Sequence, residues 1–146
     1  MPPWTFVIDQ EFESAALTVT ETHVVSWAGL TGDWVALHTD AEAAAQSAFG
    51  ERVAHGPLTL ALALGLVTQC GVFTGNVVAW LGLDGVRASA PVRFGDTIRA
   101  RVRVAELRPA ARGERDVCRL HYSVVNQREE EVMTFDNTLL LNRAAA

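Results

Sequence analysis

The sequence has 146 residues and a formal net charge of −5, with 49% hydrophobic and 20% charged residues. This length and composition predict a single globular domain over residues 1–146. Because contact with nucleic acid needs concentrated Lys and Arg, the acidic balance argues against a nucleic-acid partner. The chain contains no lysine, which removes Schiff-base chemistry on a lysine from the possible mechanisms.

The N-terminal ten residues lack the pattern of a signal peptide. The most apolar stretch, residues 58–67, is too short to cross a bilayer, so no membrane partner is expected. Cys70 and Cys118 form no CxxC pair and are predicted to be small core residues in a reducing compartment. We therefore expect a cytoplasmic protein.

The first third of the chain has mixed patterning. Residues 11–19 are predicted to form a strand, and Thr20 or Thr22 to cap a helix over about 23–30. Asp40 is a suitable N-cap for a second short helix over 41–49.

A long, almost wholly apolar helix is predicted from Pro57 to Cys70. Proline suits its first turn, and its length is about 20 Å at roughly 1.5 Å per residue. Apolar residues at nearly every position indicate that it is buried on most sides.

After Gly71 the apolar residues alternate, which is typical of strands. Strands are predicted over 77–89, 96–107, 116–127 and 131–142, with turns at Asp84-Gly85 and Gly95-Asp96. This order favours an α+β domain in which an antiparallel sheet wraps around one central helix. Such a sheet leaves an edge or face that a second copy often covers, so we expect a dimer.

Asp33 and His38 are the first candidates for chemistry. The break at Gly32 and a non-helical stretch before His38 can bring both side chains into one cleft, where a carboxylate and an imidazole form a general acid–base pair. The alternative is that Asp33 is a turn residue and His38 a half-buried structural histidine.

His55-Gly56-Pro57 is the second candidate. Gly56 lies at the start of the long helix, where an unpaired backbone N–H can stabilise an oxygen that gains negative charge. The alternative is an ordinary helix start. His38, Asp40 and His55 lack a compact metal-ligand spacing, so no metal is predicted.

Together these residues resemble the MaoC-like dehydratase or R-specific enoyl-CoA hydratase family. The similarity runs through Thr31–Thr59, and its matching positions are Gly32, Asp33, Leu37, His38, Asp40, Phe49, Gly50, Ala54, His55 and Gly56. Arg87 and the stretch Pro91–Val104 are similar to a later strand entry in that family.

The resemblance implies a hot-dog fold that works as a homodimer or a dimer of dimers. It implies that Asp33 and His38 activate a water for addition to, or removal from, the 2,3 bond of an enoyl or 3-hydroxyacyl thioester. Gly56 N–H would polarise the thioester carbonyl. Trp34, His55 and Arg87 are the expected substrate-binding residues, although Trp34 also fits a core position. The acyl-thioester substrate would carry coenzyme A or an acyl-carrier protein, and no bound cofactor is expected.

The chain departs from the family pattern at three places. Val35-Ala36 replaces Asn-Pro, Ala88 replaces a Phe, and Pro57 replaces Met or Leu. Two alternatives remain open on the same fold: a hot-dog acyl-thioesterase, and a non-catalytic acyl-thioester-binding subunit of a heteromeric dehydratase.

Overall fold

The structure, a computed structural model, describes residues 4–143. Its helices are α1 (Glu21–Thr31), α2 (Ala36–Thr39), α3 (Ala41–Ala45) and α4 (Gly56–Gln69). Its strands are β1 (Glu11–Glu13), β2 (Leu17–Thr18), β3 (Val77–Ala88), β4 (Thr97–Pro109), β5 (Arg115–Val125) and β6 (Glu131–Asn142). No helix in this range is both long and apolar enough to cross a bilayer.

The strands form an antiparallel sheet in the order β1-β4-β5-β6-β3, with β2 also paired to β4. Helix α4 packs on one face of this sheet, and its buried residues Leu58, Ala63, Leu66 and Val67 belong to the same apolar core as the strands. The α+β fold class predicted from the sequence is confirmed.

Strand β4 illustrates how alternation places the core. Ile98, Ala100, Val102 and Val104 are buried, whereas the intervening arginines lie on the opposite face. The arginines form ion pairs across that face, and their partners are Glu13 and Glu129 for Arg99 and Arg101, and Asp9 for Arg103. The face is therefore solvated, as predicted.

Two N-terminal predictions need correction. The strand predicted over 11–19 is two short strands, because the Ser14 hydroxyl accepts a 2.9 Å hydrogen bond from the amide of Ala100 in place of a backbone carbonyl. The helix predicted over 41–49 ends at Ala45. There the Ser47 hydroxyl donates to a main-chain carbonyl at 2.6 Å and closes the chain into turns.

The turn predicted at Asp84-Gly85 is wrong. Both residues lie inside β3, where the register with β6 shifts between Asp84 and Arg87, and Gly85 has φ of 61°. The glycine therefore supports a bulge rather than a chain reversal. Cys70 is exposed at the end of α4, which contradicts the predicted core position, whereas Cys118 is buried as predicted.

The turn at Gly95-Asp96 is confirmed, and it is held by a buried carboxylate. Asp96 accepts hydrogen bonds from Arg93 N at 2.8 Å and Gln127 Nε2 at 2.7 Å, and lies 3.4 Å from the Arg128 guanidinium. Burial by itself raises the pKa of Asp96, but the hydrogen bonds and the guanidinium outweigh it, so the pKa is lowered.

Replacing Asp96 by Asn should lower the free energy of unfolding by roughly 2 kcal/mol at pH 7, the magnitude of charged hydrogen bonds. Because the pKa of Asp96 is lower in the folded state, its contribution is full above about pH 4 and is lost as the pH falls through the folded-state pKa. Urea unfolding should therefore show a difference between wild type and Asp96→Asn that shrinks from pH 7 towards about pH 3.

Glu42→Gln is the matched control, since Glu42 is exposed on α3 and its carboxylate has no hydrogen bond within residues 4–143. It should change the free energy of unfolding by less than about 0.5 kcal/mol. Equal losses for the two variants at pH 7 would contradict the role given to Asp96.

Candidate active site

A cavity of about 390 Å³ lies beside the N-terminus of α4, within the size range of small-molecule pockets. Its walls are mostly apolar. They are formed by Leu37, His38, Phe49, Val53, Ala54, Gly56, Thr59, Ala88, Ser89, Ala90, Pro91, Val92, Val132 and Met133. The cavity can therefore accept an apolar chain while presenting an imidazole, a helix start and the two hydroxyl residues Thr59 and Ser89.

His38 lies on α2 and is half-buried in the cavity wall. Its Nδ1 lies 2.7 Å from the carbonyl oxygen of Val53. A carbonyl can only accept, so Nδ1 carries a proton and Nε2 of the neutral ring is left as the proton acceptor. This is the arrangement of a general base.

Gly56 is the first residue of α4 and lines the same cavity. Its amide has no main-chain acceptor within the described range, and Pro57 has no N–H to offer. A Cβ built at Gly56 meets no atom within 4 Å, so the space beside the backbone is open. A ligand oxygen can thus approach a free N–H at the positive end of the helix dipole.

Asp33 lies between α1 and α2 and is partly exposed. The chain turns there because Gly32 ends α1 in the left-handed conformation, with φ of 79°. The carboxylate accepts a 3.4 Å hydrogen bond from Val35 N and makes none with His38. Asp33 is not one of the residues that line the cavity, so the structure brings His38 and Gly56 together and leaves Asp33 beside them.

His55 contacts both Asp33 and His38. Its Nε2 donates to the carbonyl oxygen of Asp33 at 3.0 Å, and its ring stacks on that of His38 with centroids 3.9 Å apart. The side chain is completely buried, and Nδ1 has no hydrogen-bond partner in the described part of the protein. An unpartnered buried polar atom costs about 1–3 kcal/mol, so this histidine is not the most stabilising residue for its position.

The other two predicted substrate-binding residues lie outside the cavity wall. Trp34 is 56% exposed, so the alternative core position for it is wrong: it follows the turn at Gly32 and points away from the packed interior. Arg87 is exposed on β3, directly before the cavity residue Ala88, and forms no ion pair within residues 4–143. The binding roles of Trp34, His55 and Arg87 remain predictions.

Asp40 has a structural task. Its carboxylate accepts hydrogen bonds from the amides of Glu42 and Ala43, both at 3.0 Å, and so caps α3 as predicted. Over the described range, no group of three His, Cys, Asp or Glu side chains is placed to hold a metal ion.

The sequence did not reveal the apolar wall opposite His38. Val92, Val132 and Met133 are buried, and their alternation is that of ordinary core residues. The family resemblance of the stretch around Pro91 is the only sequence signal for this wall. The pattern of residues does not indicate that this stretch lies next to α4.

Comparison with known proteins identifies the family. The family model described as "MaoC like domain" matches residues 5–127. The chain is 30% identical over 128 residues to the (R)-specific enoyl-CoA hydratase of Rhodospirillum rubrum, covering 85% of this chain and 87% of that protein. It is 44% identical over 85 residues to Protein MaoC of Klebsiella aerogenes, covering 58% of this chain but only 25% of that much longer protein.

Solved structures agree with these matches. The monoamine oxidase regulatory protein of Archaeoglobus fulgius is 35% identical, with a TM-score of 0.92 and coverage of 99% of this chain and 97% of that one. A Mycobacterium tuberculosis protein with a double hot-dog fold is 22% identical with a TM-score of 0.82, covering 94% of this chain and 42% of that one, and shows the fold alone. The chain has a hot-dog fold and belongs to the MaoC-like dehydratase family.

Proposed function

We propose that the protein is a hydro-lyase that adds water to, or removes it from, the 2,3 bond of an enoyl or 3-hydroxyacyl thioester. The observation that carries the proposal is the cavity that His38 and Gly56 both line, one an imidazole whose Nδ1 is taken by the Val53 carbonyl and the other the first residue of helix α4. Asp33, whose main-chain carbonyl accepts a hydrogen bond from the neighbouring His55, is the proposed source of the carboxylate.

In the hydration direction, Asp33 and His38 hold one water between them. The water oxygen forms a bond to the β-carbon, and its proton passes to one of the two groups. The electron pair of the double bond moves towards the thioester oxygen, where Gly56 N–H stabilises the developing enolate charge. The α-carbon then takes this proton from the group that received it, so the elements of water are added in full. Dehydration reverses each step.

The apolar wall of the cavity fits the acyl chain, since Leu37, Val53 and Met133 offer no charge or strong hydrogen-bonding group. Coenzyme A or an acyl-carrier protein is the proposed carrier. Trp34 and Arg87 are the proposed contacts with it, because both side chains are exposed near the site. The thioester itself activates the α-carbon, so the proposed reaction uses no bound cofactor.

Two relatives are named for the reaction proposed here. The (R)-specific enoyl-CoA hydratase of Rhodospirillum rubrum and the 3-hydroxybutyryl-CoA dehydratase of Methylorubrum extorquens, 35% identical over 100 residues, are named for the two directions of one reaction. This chain spans 62% of the latter, so the activity of the whole relative is carried over here as a proposal.

Replacing Asp33 by Asn should lower kcat/KM for an enoyl-CoA by roughly 10²–10⁴-fold, the usual contribution of a general acid or base. The amide keeps an oxygen for the Val35 N–H bond, so the local turn should persist. The measurement is the loss of absorbance of the conjugated enoyl thioester, with short- to long-chain substrates.

Glu42→Gln is the matched control, because Glu42 is exposed on α3 and its carboxylate has no hydrogen bond within the described residues. It should retain wild-type activity. If wild type turns over no enoyl thioester in the panel, the hydro-lyase proposal fails. Release of free thiol would then indicate a thioesterase, and tight acyl-CoA binding without turnover a non-catalytic subunit.

Gly56→Ala tests the helix amide. The backbone of Gly56 does not need a positive φ and a Cβ there meets no atom within 4 Å, so the variant should fold normally. Its methyl group should hinder the approach of the thioester oxygen and lower kcat by about 10²-fold, as for the loss of one oxyanion donor. Gly65→Ala, at an exposed position of the same helix with equally open surroundings, is the control for helix effects. Unchanged kcat in Gly56→Ala would contradict the role of this amide.

We also propose a homodimer, or a dimer of dimers, formed along β3. This strand is an edge of the sheet and leaves large apolar side chains exposed at Val77, Val78, Trp80, Leu81 and Val86. An unpaired edge with such side chains favours association with a second chain.

Leu81→Arg should convert the dimer to a monomer, because it puts a charge into the proposed contact. Light scattering during size-exclusion chromatography measures the mass. Val7→Arg introduces the same charge at a residue that is 60% exposed and lies outside β3, and it should leave the mass unchanged. A wild-type monomer, or equal effects of the two variants, would contradict the proposed interface.

A further inference from the structure

We propose that His55 is a positioning residue, which aligns Asp33 and His38 for the reaction without touching the substrate. The inference rests on the proposed function and deepens it, because it gives the second histidine of the site a task different from the binding role expected from the sequence.

The first argument is contact. The Nε2 of His55 donates to the carbonyl oxygen of Asp33 at 3.0 Å, and its ring lies on that of His38 at 3.9 Å with 29° between the planes. The next residue along the chain is Gly56. One side chain therefore contacts both members of the acid–base pair and leads directly into the amide that faces the thioester.

The second argument is burial. His55 is 0% exposed and is not among the residues that line the cavity. A substrate in that cavity contacts His38 and Gly56, whereas the His55 ring has no exposed surface to offer it. Its influence on the reaction has to pass through the groups it holds.

The third argument is the fixed orientation of His38. Its Nδ1 is held by the Val53 carbonyl at 2.7 Å, which selects the tautomer with a free Nε2, and the ring of His55 covers one face. A hydrogen bond in the ring plane and a stacked ring on its face together restrict rotation of the imidazole. Catalysis by proton transfer depends on such alignment, since misplacement by about 1 Å can cost about 10²-fold in rate.

The fourth argument concerns the unpartnered nitrogen. The Nδ1 of His55 has no hydrogen-bond partner in residues 4–143. A side chain selected for stability alone would have its buried polar atoms paired or absent. Retention of an imidazole here is explained by what its other nitrogen and its face do for Asp33 and His38.

Two variants of the full chain separate the two contacts. His55→Phe keeps a planar ring against His38 and removes the donor to the Asp33 carbonyl. His55→Gln keeps an N–H donor and removes the ring. Both are compared with wild type for kcat and KM on a short-chain enoyl-CoA and for thermal midpoint.

For His55→Phe we expect kcat to fall by about 10²-fold, with KM within about threefold of wild type and a thermal midpoint within about 4 °C. His55→Gln should recover part of the lost kcat, because it restores the bond to the Asp33 carbonyl. A residue with a merely structural role would change stability and leave the kcat of the folded enzyme unaltered.

Three results would overturn the proposal. The first is kcat within about threefold of wild type in both variants. The second is a raised KM at unchanged kcat, which would indicate that His55 binds the substrate directly. The third is a loss of activity that matches the fraction of unfolded protein.

A readout independent of turnover keeps this test separate from that of the proposed function. Nitrogen NMR of the imidazoles should show His38 protonated at Nδ1 in wild type and in His55→Phe, which keeps a ring on its face, and a mixture of tautomers in His55→Gln, which removes that ring. If wild type lacks hydratase activity, the proposed function fails while the NMR result still decides whether His55 orients His38. An unchanged His38 spectrum in His55→Gln would contradict the proposal.

Discussion

The extended segment 53–55 is fixed on both of its sides, and the geometry of the site depends on it. On one side the amide of Ala54 donates to the Val92 carbonyl at 2.8 Å, which ties the segment to the chain entering β4. On the other side the Val53 carbonyl accepts from His38 at 2.7 Å. The start of α4 is therefore held in register with both the sheet and the α2 segment, and the helix amide and imidazole face one cavity as a result.

Most of the fold could be predicted because alternation and helix caps are local signals. The four long strands occur within two residues of the predicted bounds, and Asp40 caps α3 as expected. The errors came from residues whose local preference has more than one outcome. Gly85 can support either a turn or a bulge, and β6 settles this by pairing on both sides of it. Ser14 lies in a stretch whose pattern predicts one strand, but its hydroxyl accepts a hydrogen bond in place of a backbone carbonyl and so divides the strand.

Less of the site could be predicted, because its geometry comes from residues far apart in the chain. His38 and His55 are both visible in the sequence, but their stacking at 3.9 Å depends on how segment 53–55 meets α2. Family resemblance selected candidate catalytic residues and said nothing about which of them line the cavity. Residue type and spacing do not distinguish a histidine ring that binds substrate from one that supports its neighbours, and only the structure shows that His55 is completely buried.

The segment with Val35-Ala36, where the family resemblance implies Asn-Pro, is held by local hydrogen bonds. Ala36 is the first residue of α2, a position where proline is favoured because it fixes φ and needs no N–H acceptor. Without proline the segment is held by other bonds: the Thr39 hydroxyl lies 3.1 Å from the Trp34 carbonyl and 3.2 Å from the Val35 carbonyl. With the Val35 amide bonded to the Asp33 carboxylate at 3.4 Å, these contacts bracket the turn between Asp33 and His38. Local hydrogen bonds thus restrain this segment in part as a proline would, and Val35-Ala36 is compatible with an ordered connection between Asp33 and His38.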